Sequence, residues 1–494
     1  MAQGSTHRGG PDRGVVFARD GNGRRSTSAV GQTVVSTALA EVDSTGAEAA
    51  RRETSWRSGY LPHIRRLTLA GLGSRPDAEQ FARDGLAALD LGMAWAAPDG
   101  DRPITDLLSA EPDVGVAQSE VAGSGDPEGE LTVPYRGTRL AGTSLRDRLE
   151  SWVADGIVEP SFADAITTVM DNPAWLRLDG RTVAVLGAGA EMGPAQALLR
   201  WGASVAALDL PGAPGWEPLI EHARRSGGRL LVPTAEGASG PGLDLIEHVP
   251  AIASWLVDID DDLVISNDVY APGSAFVRVA LAADAVSRRV ATARPTTALA
   301  FLATPTDTYG VPERVVESAV AEYRGRSRWA KLLGRPLRTL SGGRLLRRPY
   351  AESVKPGICD ALVPQQGPNY ALAKRLQRWR ATEARRSGTV VSLHVAPATR
   401  TRSVTRNRAL AAAYAGAHRF GVEVFEPGTT NTLMAALLVH DLHAGPLSQG
   451  RSSLDQVWQD EAYAAAHGGI WTCRYAPRSV LGMAALLGLG GARG

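Results

Sequence analysis

Short apolar runs alternate with amphipathic stretches through the second half of the chain. The first unit, residues 181–210, contains an apolar strand, a glycine-rich turn, a helix and a second strand. Further apolar runs follow at residues 229–233, 261–266, 296–303, 388–397 and 468–475, with helical patterns between them. This alternation predicts an α/β fold, a doubly wound Rossmann-type parallel sheet of roughly six or seven strands.

The sequence before this unit has a different character. Residues 1–35 are rich in Gly, Ser and Arg without periodicity, which predicts a disordered tail. Residues 36–175 carry helical patterns, such as the one from Thr143 to Gly156. We therefore expect three parts: the tail, a mostly helical N-terminal extension, and a Rossmann-type domain over residues 176–494.

Composition narrows the function classes. The 53 basic and 52 acidic residues nearly cancel, so the chain as a whole generates no field that favours nucleic acid or a membrane surface. Two cysteines, Cys359 and Cys473, are too few for a disulfide framework and fit a reducing cytoplasm. The N-terminus lacks the apolar core of a secretory signal, and no apolar run reaches about 18 residues. We expect a cytoplasmic protein without a membrane or nucleic-acid partner.

The turn after the first predicted strand has the sequence GAGAEMG, with glycines at Gly187, Gly189 and Gly193. Without side chains, the backbone N–H groups of such a turn and of the following helix can approach a pyrophosphate. The spacing is one residue longer than the commonest dinucleotide fingerprint, and it places Met192 inside the turn. The alternative is a glycine-rich connection that binds no ligand.

Asp209 closes the second predicted strand, where a carboxylate can accept hydrogen bonds from an adenosine ribose. Its charge, together with that of Glu191 in the glycine turn, would repel a 2′-phosphate. The sequence therefore favours NAD over NADP as cofactor. The alternative is that Asp209 is an ordinary turn residue at the end of a strand.

Tyr370 and Lys374 lie four positions apart in the sequence YALAK. On a helix they would be neighbours on one face, where an ammonium can lower the pKa of a phenol. Since the chain has only three lysines, a chance pair at this spacing is expected roughly 0.06 times. The alternative is a solvated pair on a helix surface.

In this order the motifs resemble the short-chain dehydrogenase/reductase superfamily over residues 181–475. That family places an asparagine after the fourth strand, a hydroxyl residue after the fifth, the Tyr-x-x-x-Lys pair next, and a proline-containing loop after the sixth. The corresponding residues are Asn267, Thr304 or Thr306, Tyr370 with Lys374, and Pro397.

The resemblance implies an NAD(P)-dependent oxidoreductase that interconverts a secondary alcohol and a ketone by hydride transfer. Tyr370 would be the acid/base, Lys374 would tune its pKa and bind the nicotinamide ribose, and a threonine hydroxyl would orient the substrate. Epimerisation or dehydration through a transient ketone would use the same residues. The alternative from another class is a dinucleotide-binding scaffold or regulator that has lost efficient turnover.

The chain departs from the family pattern in four ways. The hydroxyl residue is threonine rather than serine, the family's second asparagine has no counterpart, and alanine follows Pro397 where glycine is usual. The fourth departure is a basic insertion at about 308–366. It has three interpretations: a lid that grips an anionic substrate, an arm that binds a partner chain, or a solvated surface.

The remaining candidates concern partners and metals. A small-molecule substrate is expected, anionic under the lid interpretation. An acidic group could be reached by the arginines just after Pro397, namely Arg400, Arg402, Arg406 and Arg408; the alternative is that several of them face solvent. Family members associate through helices, so the helix that starts near Asn369 predicts a homo-oligomer. No metal site is predicted, because His440 and His443 are interpreted as surface residues at the end of a helix.

Overall fold

The computed structural model describes residues 13–97, 99–351, 356–444 and 454–489. Within these ranges the chain forms short strands connected by helices and turns. The strands are β1 (Gly14–Phe17), β2 (Met93–Ala97), β3 (Gly100–Pro103), β4 (Val116–Ala122), β5 (Val133–Tyr135), β6 (Thr138–Leu140), β7 (Arg181–Leu186), β8 (Ser204–Leu208), β9 (Arg229–Ala235), β10 (Asp262–Asn267), β11 (Ala298–Ala303), β12 (Thr308–Val311), β13 (Gly357–Asp360) and β14 (Val391–Val395).

The helices surround these strands and vary widely in length. They are α1 (Thr27–Leu39), α2 (Ser44–Arg52), α3 (Trp56–Ala70), α4 (Arg75–Gly92), α5 (Gly142–Ala154), α6 (Pro160–Asp171), α7 (Ala195–Arg200), α8 (Trp216–Arg225), α9 (Val249–Val257), α10 (Ala275–Ala293), α11 (Glu313–Arg324), α12 (Arg328–Leu340), α13 (Gly367–Arg386), α14 (Arg402–Arg406), α15 (Arg408–Gly416), α16 (Pro427–His443), α17 (Val457–Ala462) and α18 (Pro477–Gly488). None of these helices, in the described part of the chain, combines the length and the apolar character needed to cross a membrane.

Seven strands form the central sheet, in the order β14, β11, β10, β7, β8, β9, β4. The first six pair in parallel, and β4 runs antiparallel to β9 at the edge. Numbered along the chain, the parallel strands have the 3-2-1-4-5-6 order of the Rossmann fold. Their side chains are almost all buried, because helices cover both faces of the sheet. The predicted α/β class and the doubly wound sheet are confirmed.

The seventh strand is not the one that the sequence suggested. Residues 468–475 form turns, because Gly468 and Gly469 both take positive φ values, +66° and +83°, which interrupt an extended chain. The edge position is filled by β4, which comes from the N-terminal extension. The extension is therefore only partly helical, and it contributes a strand to the same sheet as the Rossmann-type domain.

The expectation of a disordered tail does not hold for residues 13–35. Val15, Val16 and Phe17 in β1 are buried, β1 pairs with β2, and α1 begins at Thr27. The short apolar run GVVF gains enough burial against the core to stay ordered, although glycine and arginine flank it. The expectation for residues 1–12 lies outside the described residues.

Helices of the extension cover α13, the helix that carries Tyr370 and Lys374. Helices α1, α3 and α4 pack against it, and a Cβ atom at Gly85 in α4 would overlap the ring of Trp379. The helix suggested as an oligomer interface is thus buried inside the protomer. The predicted homo-oligomer would need a different surface.

The insertion folds as a two-stranded antiparallel sheet, β12 with β13, that encloses α11 and α12. Its apolar positions in α11, such as Val315 and Ala319, are buried against the core. By contrast, the cations Arg328, Lys331 and Arg335 of α12 are exposed to solvent.

Candidate active site

A cavity of about 730 Å³ opens at the carboxyl ends of the parallel strands, beside the point where the strand order reverses between β7 and β10. Doubly wound folds bind their ligands at this place. Most of the residues predicted from the sequence meet in its wall. They are Gly189, Met192, Gly193, Asn267, Thr304, Thr306, Tyr370, Lys374 and Pro397. Gly187 and Asp209 are not part of the wall.

The glycine turn leaves β7 in a conformation that requires glycine at its first position. Gly187 has a φ of +88°, and a Cβ atom there would lie 3.0 Å from the carbonyl oxygen of Asp268. Helix α7 begins only at Ala195 and has six residues. The longer glycine spacing therefore forms a turn, and this turn, rather than the first turn of a helix, faces the cavity.

Asp209 is bound to the glycine turn itself. The N–H of Gly189 donates to Oδ2 at 2.7 Å, and the N–H of Leu210 donates to Oδ1 at 2.8 Å. Gly215 packs beside them, since a Cβ atom at this position would lie 3.3 Å from the Cα of Gly189. Asp209 thus holds two loops together at the place where the sequence predicted a contact with ribose.

Tyr370 lies in an aromatic environment on the first turns of α13. Its ring is 5.4 Å from that of Phe276 and 6.5 Å from that of Tyr270, measured between centroids. Burial raises the pKa of Tyr370 well above that of a free phenol, and a hydrogen bond with Thr304 opposes this shift only in part. The phenol therefore stays protonated at neutral pH. The prediction that the pKa of Tyr370 is lowered is therefore wrong.

The structure distinguishes the two threonines. The Oγ1 atoms of Thr304 and Thr306 are 2.9 Å apart, and Thr306 also accepts a hydrogen bond of 2.9 Å from the side-chain amide of Gln366. Thr304 is the residue that contacts Tyr370. Thr306 is hydrogen-bonded to Thr304 and orients the Thr304 hydroxyl.

Lys374 points its ammonium group toward the end of β11. Its Nζ donates to the carbonyl oxygen of Leu302 and to Oε1 of Gln377, both at 3.0 Å. Burial lowers the pKa of Lys374 to about 8, although Asp268 and Asp307 raise it. A group with this pKa can hold or release a proton near neutral pH.

Gln377, which was not among the residues predicted from the sequence, joins Lys374 to Asn267. Its Nε2 donates to Oδ1 of Asn267 at 3.0 Å, so it bridges the two side chains. The signal was present, since Gln377 follows Lys374 by three positions on the same helix.

Two polar atoms at this end of the cavity are buried without a partner in the described structure: Nδ2 of Asn267 and Oδ1 of Asp268. Burial raises the pKa of Asp268 to about 6, while a 2.6 Å hydrogen bond from Ser266 and the charge of Lys374 lower it. A buried donor and a buried acceptor that lack partners are suited to a polar ligand. The residues around Lys374 therefore fit the nicotinamide end of a dinucleotide. Asp209 and Gly215 lie against Gly189 of the glycine turn, outside the wall of the cavity.

Arginines reach the cavity from α14 and from the start of α18, where Arg478 lines it, and not from the described part of the insertion. Arg402 and Arg406 line it, and Arg402 spans it by donating to Glu191 through its N–H at 2.7 Å and its Nε at 3.1 Å. The described residues that the insertion contributes, 361–363 and 365–366, are uncharged. The lid interpretation therefore lacks the arginines on which it depended.

The histidines interpreted as surface residues are partly or fully covered. His440 is buried and its Nδ1 lies 3.1 Å from Asp441, whose other oxygen is 2.6 Å from Nε2 of His394. His443 stacks on Trp175. In the described ranges no group of three acidic, histidine or cysteine side chains is arranged to hold a metal ion.

Fold and cavity define a doubly wound Rossmann-type α/β protein whose polar site lies at the switch point of the sheet. No family model and no curated protein matches the sequence. Among solved structures, the terminal R domain from the myxalamid PKS-NRPS biosynthetic pathway is similar, with a TM-score of 0.28 and 14% sequence identity. The alignment covers 52% of this chain and 61% of that domain, less than two thirds of either. Similarity at this level carries no argument about function.

Proposed function

We propose that the protein is a nicotinamide-dinucleotide-dependent oxidoreductase of the short-chain type, which interconverts a ketone and a secondary alcohol. One observation carries the proposal: Tyr370, Lys374 and Thr304 meet a glycine turn in a single cavity at the switch point of the sheet. When bound, the dinucleotide supplies or accepts the hydride. The protein has to position the substrate oxygen and move a proton at it.

Tyr370 is the proton donor in this proposal. Its phenol is protonated at neutral pH and can give a proton to a ketone oxygen as the hydride reaches the carbon, with the hydrogen bond from Thr304 opposing the rise of its pKa on burial. The hydroxyl of Thr304, which shares a hydrogen bond with the phenol, holds the same oxygen in line. The protonated phenol is the form that reduction of a ketone requires.

Lys374 and its hydrogen-bond partners support the proton transfer from Tyr370. Lys374 can replace the proton that Tyr370 gives up, since its pKa of about 8 is near the working pH. Gln377 fixes the ammonium, and the unpartnered amide of Asn267 is available to the nicotinamide end of the cofactor. NAD is favoured over NADP because the carboxylate of Asp209 beside the glycine turn would repel a 2′-phosphate, whereas the charge of Glu191 is compensated by Arg402.

A second candidate is a dinucleotide-binding scaffold or regulator without efficient turnover. This candidate is favoured by the hydrogen bonds that polar groups of the site already make with other protein groups. The carboxylate of Asp209 is occupied by Gly189, and the ammonium of Lys374 is directed at Leu302 and Gln377. A scaffold would bind the dinucleotide and not depend on the phenol of Tyr370.

Titration of the purified protein with NADH and NADPH, followed by calorimetry, tests the proposal first. We expect NADH to bind more tightly than NADPH. Turnover of a ketone panel is then compared between wild type and Tyr370→Phe, with Tyr323→Phe on α11 as the matched control. Loss of turnover by about a hundredfold or more in Tyr370→Phe alone supports the enzyme. Binding of neither dinucleotide would overturn both candidates.

A further inference from the structure

One arm of the cavity has a wall that the chemistry around Tyr370 does not use. The residues of this wall are uncharged and come from α15, α18 and the segment between them. We call it the apolar arm, formed by Leu410, Ala413, Phe420, Val480, Leu481 and Ala484. Ala413, Phe420, Val480 and Ala484 are at most 7% exposed, so most of the wall is well packed from behind.

Two glycines hold the helices of the apolar arm in direct contact. A Cβ atom at Gly416 in α15 would overlap the backbone of Ala484, and one at Gly488 in α18 would overlap that of Ala412. Helices that meet backbone to backbone cannot slide together to close the space beside them. The apolar arm is thus a fixed part of the cavity rather than a gap between loosely packed elements.

The apolar arm leads to the reacting end of the cavity through Tyr414. This residue lies on α15 and lines the same cavity as Tyr370, near enough for the two phenols to influence each other electrostatically. Burial raises the pKa of Tyr414 to about 12. Arg478 at the start of α18 also lines the cavity, and its guanidinium is paired with Asp360.

We infer that the substrate is a lipophilic ketone or alcohol whose extended hydrocarbon portion occupies the apolar arm. This inference rests on the proposed function for the position of the oxygen at Tyr370. A fixed, uncharged wall favours binding of a ligand by removing apolar surface from water, and each buried methylene adds a similar increment of binding free energy. A small or anionic substrate would leave the apolar arm unfilled.

The test combines a catalytic series with a binding assay that needs no turnover. The catalytic series runs from 2-butanone to 2-dodecanone with NADH, and kcat/KM should rise about fourfold for each added methylene until the apolar arm is filled. The binding assay follows the uncharged fluorophore N-phenyl-1-naphthylamine and its displacement by 1-decanol.

Variants locate the effect in the apolar arm. Leu481→Trp fills the space from α18 and should flatten the chain-length dependence and weaken 1-decanol binding by about tenfold. Leu486→Trp is the matched control on the same helix, since Leu486 is 70% exposed and is not part of the wall. Leu410→Trp gives a second, independent block from α15. NADH titration confirms that each variant is folded.

The outcomes separate the two proposals. Turnover of short or anionic ketones without a preference for long chains would overturn the lipophilic substrate and leave the oxidoreductase standing. Fluorophore binding that 1-decanol displaces and Leu481→Trp abolishes, without turnover of any ketone, would support the apolar arm and count against the enzyme. Equal behaviour of Leu481→Trp and Leu486→Trp in both assays would refute the assignment of the apolar arm.

Discussion

Lys374→Met should change how the stability of the protein depends on pH. Burial lowers the pKa of Lys374 from 10.5 to about 8, although Asp268 and Asp307 act in the opposite direction. At about 1.4 kcal/mol per pKa unit, the fold disfavours the charged ammonium by about 3 kcal/mol relative to the unfolded chain. The positive charge of Lys374 therefore lowers the stability of the folded protein near neutral pH.

The sign of the effect follows from the protons bound in each state. Between pH 8 and 10.5 the lysine is neutral in the folded protein and still protonated in the unfolded chain. Because the unfolded chain binds more protons in this window, the free energy of unfolding of the wild type rises with pH. Methionine does not titrate, so the wild type should gain about 3 kcal/mol over the variant across the window.

Urea unfolding of both proteins, followed by tryptophan fluorescence at closely spaced pH values from 7 to 10.5, measures this difference. Its change with pH is the test, because its value at any one pH also contains the lost hydrogen bonds to Leu302 and Gln377. Lys331→Met, on the exposed face of α12, is the matched control and should give a curve parallel to the wild type. A parallel curve for Lys374→Met as well would refute the buried position of the ammonium.

Three further predictions concern the surroundings of the site. Glu461→Leu leaves the buried guanidinium of Arg378 without this carboxylate and should cost about 3–5 kcal/mol of stability in urea unfolding; a loss below about 1 kcal/mol would contradict the buried pair. Trp379→Ala opens a cavity under Gly85 of α4 and should cost about 3–5 kcal/mol, with faster hydrogen exchange in α4; unchanged exchange there would show that the two helices do not depend on each other. Gln377→Leu should reduce kcat by about tenfold and leave the Kd for NADH nearly unchanged, whereas full activity would show that the position of the Lys374 ammonium does not depend on Gln377.

The parallel sheet could be predicted because its strands are buried on both faces. Such strands appear in the sequence as continuous apolar runs, and their alternation with helices leaves few possible topologies. The edge strand β4 was not predicted because its sequence pattern is only partly apolar, with Gln118, Ser119 and Glu120 exposed on the open edge. Its pairing with β9 depends on a contact between residues more than a hundred positions apart, which no local pattern records.

The site was predictable where one helix or one strand end determines a position. Tyr370 and Lys374 share a face of α13, and Thr304 follows β11 directly, so sequence order places them at the same edge of the sheet. The direction of the pKa shift of Tyr370 was not predictable, because the rings of Phe276 and Tyr270 that bury it come from a distant part of the chain. The spacing suggested a lowered pKa, and tertiary burial reversed the direction.

The division of the chain into an extension and a Rossmann-type domain reflects sequence pattern and not packing. Leu39 and Leu89 of the extension belong to one hydrophobic core with Leu376 and Trp379 of α13. Since Arg378 on the same helix is also buried, α13 has no face that could be left to water without exposing apolar surface. The helices α1, α3 and α4 therefore hold the helix of Tyr370 and Lys374 in place, and the geometry of the site depends on residues that the sequence assigned to a separate part.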